Sequence, residues 1–189
     1  LVRDFESFEI ATTHFNCDVQ LCPDSAFALG KLIPSETPQH KALALIRNDK
    51  ESSLSSSNIE AIENLKIEDW LTDAPNMHSL LDRIVHRASI ESRIVNRITR
   101  QGLIRIFDTW AQNRLSRGVK QLSRAEFIIT DRLHGHIIAT LLGIPHLILD
   151  NNYGKIFSYV NAWPNSRLGS VTDDLGASLA NMIAPEVEI

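Results

Sequence analysis

The sequence predicts an α/β protein, a Rossmann-like and mainly parallel sheet with helices on its faces. Three observations carry that expectation. The first is residues 127–150, which read as strand, polar turn, helix, stop and strand. Phe127-Ile128-Ile129 is a short apolar run of the kind buried on both faces of a parallel sheet. Leu133, Ile137 and Leu141, joined by Ile138 and Leu142, repeat at helical spacing. Gly143 then stands where a helix ends in the left-handed conformation, Ile144 supplies the apolar residue after it, and Pro145 forbids continuation. His146 to Leu149 forms the second strand. Strands joined through a helix pair in parallel with a right-handed crossover. The second observation is that apolar runs and helical-period stretches alternate along the chain. The third is that the runs end in polar clusters: Arg3-Asp4, Pro23-Asp24-Ser25, Arg47-Asn48-Asp49, Asp131-Arg132 and Asp150-Asn151-Asn152. Their amino ends are less charged. Ligands of open parallel sheets bind outside the carboxyl ends of the strands, so these clusters are expected to face one crevice.

Taken in order, Leu1 to Asp4 reads as the end of a strand, and Asp4 or Ser7 offers a cap for a helix over about 6–13. Asp18 to Leu21 is a short strand, and Ala26 to Leu29 an apolar turn of helix or loop. Residues 30–39, with their prolines, form a connection. Ala42 to Ile46 is a buried strand, 52–58 a Ser-rich loop, and Leu65 to Trp70 a weaker strand. An amphipathic helix is expected from about 76 to 100, closed by Gly102, and 103–107 could then be a strand. Asp108 would cap a helix over 110–122, with a possible interruption at Gly118. After Asp150, a loop through Lys155 leads into 156–163, then a loop over 164–170 and a last helix over 174–183.

The 189 residues suffice for one medium domain with a core, or one domain plus part of another. Apolar content of 43% and charged content of 22% are those of a globular chain, and a formal charge of -4 gives no sign of nucleic-acid binding. No apolar run approaches the roughly 20 residues of a membrane span. The chain opens at Leu1 on what reads as a strand end, so a fragment with residues missing upstream is expected. Cys17 and Cys22 are the only cysteines, and an isolated C-x4-C pair is not a zinc signature. Both are expected to be reduced thiols of a cytoplasmic protein, with one or both buried.

Several residues could carry chemistry. Arg132 and His134 lie at the start of a helix, where unsatisfied N–H groups and the helix dipole favour an anion. Arginine adds a planar fork for carboxylate or phosphate, and histidine a proton that moves near neutral pH. The plainer reading pairs Arg132 with Asp131 and lets His134 cap the turn. His136 points away from His134 on a helix, which disfavours a metal pair, and no metal site is expected. His146 is expected to be a hydrogen-bonded structural residue. Lys155 could meet a phosphate or be a solvated loop lysine. Arg3 and Arg47 end strands of the same sheet, with Asp4 and Asp49 as their plainer partners. Arg83, Arg87, Arg93, Arg97 and Arg100 make a basic face on the long helix. The glycines form neither a dinucleotide fingerprint nor a phosphate loop.

At these residues the chain resembles the polysaccharide pyruvyl transferase family. The Arg132-Leu133-His134 tripeptide is the hallmark, set between Leu122-Ser123-Arg124-Ala125 and Gly143-Ile144-Pro145-His146, with Asp150-Asn151-Asn152-Tyr153-Gly154-Lys155 beyond. Val2-Arg3-Asp4, Pro23-Asp24-Ser25-Ala26-Phe27, Ile46-Arg47-Asn48-Asp49 and Asp69-Trp70-Leu71 fit in the same order. The resemblance implies the carboxyl-terminal half of a two-domain enzyme like the GT-B glycosyltransferases. Residues 1–30 would end the amino-terminal domain and cross over, and 31–189 would form the donor-binding domain. It implies transfer of pyruvate from phosphoenolpyruvate onto two hydroxyls of a sugar, giving a ketal and phosphate, with no other cofactor. The acceptor would be a saccharide of an exopolysaccharide or surface glycan, lipid-linked or free, reached without a transmembrane segment and with peripheral membrane association allowed. His134 would be the acid–base residue. Arg132, Lys155, Arg3, Arg47 and Asn152 would contact the donor. The family's Gly-Asn-x-Gly-Asp segment is absent here. The rival readings are a GT-B glycosyltransferase using a nucleotide sugar and a non-catalytic sugar-phosphate-binding homologue.

Overall fold

The computed structural model describes residues 1–47, 65–70, 96–150, 154–164 and 169–172. The expected loop over 52–58, the helix over 174–183, and the stretch 76–95 of the long helix lie outside them, as do Asp49, Asn151 and Asn152. Among the described residues a five-stranded sheet forms the centre. Its strands are β1 (His40–Leu45), β2 (Leu65–Glu68), β3 (Ala125–Thr130), β4 (His146–Ile148) and β5 (Gly169–Val171). All neighbours pair in parallel, in the order β2-β1-β3-β4-β5. The expected Rossmann-like α/β arrangement is therefore present. That order winds one way from β1 to β2 and the other way from β3 onward. The switch point, and with it the natural ligand crevice, falls between β1 and β3.

The central strands β1, β3 and β4 are largely buried because their apolar residues point to both faces, while β2 and β5 at the edges stay more accessible. Leu43, Leu45 and Ile128 pack with Leu122 and Leu142 on one side. Ala44, Ile46, Ile129, Leu147 and Leu149 form the cluster on the other. Each Leu or Ile buried completely in this way contributes about 1.5–3 kcal/mol. Helix α3 (Leu133–Leu142) joins β3 to β4 and ends as its sequence requires. Gly143 takes φ 73°, and the Ile144 N–H reaches back to the Ala139 carbonyl at 3.0 Å, closing a Schellman motif. Helix α4 (Lys155–Ala162) follows β4 and buries Ile156, Tyr159 and Ala162.

Four expectations are corrected. Asn96–Leu122 is one continuous helix, α2, with no strand over 103–107 and no new start at Asp108. A single glycine inside a helix costs only about 1 kcal/mol, and Ile104, Phe107, Ala111 and Leu115 keep helical spacing across the proposed break. Phe107 and Trp110 meet edge to face along it, with ring centroids 5.5 Å apart. The two amino-terminal strands reduce to one parallel bridge between Val2 and Leu21. The loop over 164–170 yields strand β5, whose Gly169 and Ser170 pair with His146 and Leu147. Backbone pairing with an established edge outweighs the weak strand propensity of Gly and Ser. Neither cysteine is buried: Cys17 is exposed and Cys22 partly so. Both lie in the 15–22 crossover, which joins no strand beyond that bridge and so never enters the sheet core.

The amino-terminal helix α1 (Phe5–His14) starts on Asp4, whose carboxylate accepts the Ser7 N–H at 2.7 Å. A 3₁₀ turn over Ser25–Leu29 leads to the sheet and packs near α3. Gly135, in the first turn of α3, faces β3 so closely that a Cβ would sit 2.5 Å from Thr130 Oγ1 and 3.1 Å from Leu45 Cδ2. Gly135→Ala is therefore expected to destabilise the fold by about 1–3 kcal/mol through overpacking. Chemical denaturation checks this, and an unchanged midpoint would contradict it.

Candidate functional site

The site begins at the carboxyl ends of β1 and β3. Thr130 Oγ1 donates to the Leu45 carbonyl at 3.0 Å and accepts the Arg132 N–H at 3.1 Å. The Asp131 carboxylate accepts the Arg47 N–H, with oxygens at 3.0 and 3.3 Å. Asp131 is fully buried, and burial pushes its carboxyl up from the ordinary value, countered in part by the Arg47 N–H and the Arg132 charge. These bonds tie the two strand ends together and fix where α3 begins. Arg132 is its extended N-cap residue, with φ -116° and ψ 123° and no side-chain cap. With no N-cap side chain bonded to them, the leading N–H groups of α3 can take a ligand or solvent. His134 does not cap the turn.

Arg132 does not pair with Asp131, whose carboxylate is committed to β1. Its Nη2 instead donates to Asp69 Oδ1, beyond the end of β2. The Arg132 side chain is only 18% exposed, and its Nε is buried with no partner among the described residues. Asp69 also accepts the Trp70 N–H at 2.6 Å. The planar guanidinium is thus held at the switch point by a residue sixty-three positions away in sequence.

A second cluster gathers Arg3, Asp24 and His134. Arg3 Nη1 donates to Asp24 Oδ2 at 2.9 Å, because Asp4 is occupied as the cap of α1. The other oxygen, Asp24 Oδ1, accepts the Ala26 N–H at 3.0 Å and lies 3.8 Å from His134 Nε2. The Asp24 side chain is 9% exposed, whereas that of His134 is 60% exposed. Burial alone would raise the Asp24 carboxyl. The Ala26 N–H, the Arg3 hydrogen bond and the neighbouring charges of His134 and Arg3 outweigh it, so the group sits below the ordinary carboxylate value. Two links anchor the cluster to α4: the Asp24 N–H donates to the Tyr159 hydroxyl at 3.2 Å, and the Trp163 indole donates to the Arg3 carbonyl at 2.9 Å.

Of the residues singled out in the sequence, the structure brings Arg3 to His134 through Asp24. It sends Arg132 to Asp69, leaves Arg47 half-buried against β3, and sets Lys155 exposed at the first position of α4. Asp150, two residues past β4, accepts the Ile156 and Phe157 N–H groups at 3.2 and 3.4 Å. Asn152 lies outside the described residues. Sequence reasoning missed Asp24, Asp69 and Tyr159 as site residues. Asp24 and Asp69 stood in segments that fitted the family, but nothing local marks an acid that pairs with an arginine distant in sequence. Among the described residues no group of acids, histidines and cysteines could hold a metal ion, and no helix is long and apolar enough to cross a membrane.

His134 also lines a half-open groove of about 810 Å³ between α2, α3 and the 3₁₀ turn. Leu29, Trp70, Ala111, Gln121 and Ile138 are among its walls.

The model of the family described as polysaccharide pyruvyl transferase matches residues 1–153. EpsO of Bacillus subtilis strain 168, named as a candidate pyruvyl transferase, is 29% identical over 175 residues, covering 89% of this chain and 52% of EpsO. Pyruvyl transferase 1 of Schizosaccharomyces pombe is 33% identical over 181 residues, covering 86% of this chain and 39% of that protein. General stress protein 30 of Bacillus subtilis is 22% identical over 166 residues, with coverages of 87% and 41%. The chain spans about half the length, or less, of these curated relatives.

Behind the site, His136 and His146 form a buried pair; His136 points away from His134 and His146 is hydrogen-bonded, as the sequence leads one to expect, but the pairing itself is not foreseen there. His146 Nδ1 lies 2.8 Å from the Ile144 carbonyl, so it carries the proton and donates. His146 Nε2 is then bare and accepts from His136 Nδ1 at 2.7 Å. Burial, with the neighbouring His146, pushes His136 down from 6.5 to about 4, and burial lowers His146 as well. Between these limits the unfolded chain binds a proton that the folded His136 refuses. Stability is complete above pH 6.5 and falls as pH drops toward 4. Its slope approaches about 1.4 kcal/mol per pH unit for one proton. Denaturation midpoints measured from pH 7 to 4.5 should show this loss, with a shallower slope in His136→Asn. Equal slopes would contradict it.

Proposed function

Because the chain belongs to the polysaccharide pyruvyl transferase family, we propose that it supplies the donor side of an enzyme that moves pyruvate from phosphoenolpyruvate onto a sugar. The acceptor is a saccharide of an exopolysaccharide or cell-surface glycan, free or lipid-linked. The product is a pyruvyl ketal, and phosphate is released. The observation that carries this reading is the exposed His134 beside the Asp24 carboxylate, two residues along from Arg132, at an uncapped helix start.

The donor carries a carboxylate and a phosphate, so its site needs fixed cations and N–H groups. Arg132, held by Asp69, and the leading N–H groups of α3 meet that need. Arg3, Lys155, Arg47 and Asn152 complete the proposed donor contacts. In the first step a proton goes to the enol methylene, which becomes a methyl group. The adjacent carbon takes on oxocarbenium character and is attacked by one sugar hydroxyl, whose proton is lost to a base. Phosphate then leaves with its bridging oxygen, and the second hydroxyl attacks the same carbon and gives up its proton. Two hydroxyl protons replace the one placed on the methylene and the one carried off by phosphate. His134 is the residue that supplies and collects these protons, since a positioned imidazole can do both near neutral pH. The ionised Asp24 accepts from Arg3 and lies 3.8 Å from His134 Nε2, so one carboxylate orients the Arg3 fork and sets a negative charge facing the His134 ring. Residues 31–189 form the donor domain in this proposal. The remaining half of the enzyme supplies the opposite wall in a GT-B-like arrangement, and the reaction is placed in the cytoplasm.

In the complete protein, His134→Ala should lower phosphate release from phosphoenolpyruvate by about 10²–10⁴-fold. Turnover close to wild type would remove His134 from the mechanism.

A further inference from the structure

We propose that the groove between α2, α3 and the 3₁₀ turn is the acceptor subsite, and that it takes a hexopyranose with free hydroxyls. This rests on the pyruvyl-transfer reading above and assigns the place where the second substrate sits. The groove's volume of about 810 Å³ lies in the range of small-molecule sites and exceeds one sugar ring, leaving room for more of a glycan. His134 stands on its wall, so a molecule in the groove reaches the residue that serves the donor.

The lining mixes an aromatic ring, small apolar walls and polar groups, Arg114 and Arg117 among them, and a sugar can use each. Trp70 offers an indole, and the C–H face of a pyranose packs on an aromatic ring while its hydroxyls seek polar partners. Gly118 lets that indole lie close to α2, since a Cβ there would come within 3.3 Å of Trp70 Cζ3. Gln121 supplies the polar half. Its Nε2 donates to Glu68 Oε2 at 2.8 Å and to the Asp69 carbonyl at 2.9 Å. The amide cannot be reversed, because its oxygen would then face two acceptors. The remaining atom, Oε1, is buried and has no partner among the described residues, and Gln121 as a whole is 1% exposed. A buried acceptor left unmade costs about 1–3 kcal/mol. It can be satisfied only by a donor. Phosphoenolpyruvate brings a carboxylate and a phosphate, which are themselves acceptors, whereas each sugar hydroxyl brings a proton. That atom therefore suits a sugar hydroxyl and not the oxygens of the donor.

The test uses the complete protein and methyl glycosides of glucose, galactose and mannose in both anomers, with saturation-transfer NMR to read binding. Ala111 is exposed on α2 at the groove, so Ala111→Trp fills the space from the outside without entering the core. Gln121→Leu removes the orphan acceptor. At least one glycoside is expected to bind wild type, and each variant should weaken it about tenfold or more; in Ala111→Trp, which leaves the Gln121–Asp69 bond intact, phosphoenolpyruvate should bind within about twofold of wild type. Binding by none of the glycosides, or undiminished binding in Ala111→Trp, overturns the assignment. The two readings fail separately. Glycoside binding that the variants abolish, with no ketal ever formed, keeps the groove and rejects pyruvyl transfer. Ketal formation with an unchanged acceptor KM in Ala111→Trp does the reverse.

Discussion

The Asp131 carboxylate, buried at the end of β3 and bonded to the Arg47 N–H at the end of β1, is the constraint on which the site depends. It lies at the switch point of the sheet, where the two windings part and the strand ends would otherwise splay. Because that carboxylate is committed to a backbone, Arg132 must find another acid and reaches across to Asp69. The same bond, with Thr130 linking the Leu45 carbonyl to the Arg132 N–H, sets the first turn of α3. Gly135 is required there because no side chain fits against Thr130. His134 is then presented outward on that turn while His136 is turned inward to its buried partner.

The amino-terminal segment adds a second constraint of electrostatic kind. Asp24 is a part-buried carboxylate that stays ionised because it is satisfied from several sides. One oxygen takes the Arg3 fork and the other faces the exposed imidazole. Tyr159 and Trp163, from α4 and just beyond it, hold the backbone of the same segment. Three parts of the chain that are distant in sequence meet at Asp24: the 1–30 segment that carries it, the β3–α3 turn through His134, and α4 through Tyr159. The paired arginines, the ionised acid and the uncapped helix start give the site opposite charges held at fixed positions. That suits a small polyanion beside a titratable ring.

What the sequence made legible was local. The β3–α3–β4 unit, the Gly143 stop, the Asp4 cap and the opposed faces of His134 and His136 follow from period and from residues adjacent to one another. The pairings that build the site are long-range, and no period announces them. The plainer readings set Arg3 beside Asp4 and Arg132 beside Asp131, yet each nearer acid already serves a backbone N–H, which leaves Asp24 and Asp69 as the partners. Helix α2 ran through Gly102 because its apolar spacing persisted on both sides. Strand β5 formed from Gly169-Ser170-Val171 because β4 offered it an edge, which is a property of the sheet and not of those residues.

The central claim is that the amino end of α3 is the donor site. A crystal structure of the complete protein with phosphoenolpyruvate tests it most directly. The account predicts the donor's anionic groups within hydrogen-bond reach of the Arg132 guanidinium and the first N–H groups of α3, with the His134 ring against the enol carbons. Donor bound elsewhere, with Arg132 and His134 contacting only protein and solvent, would contradict it.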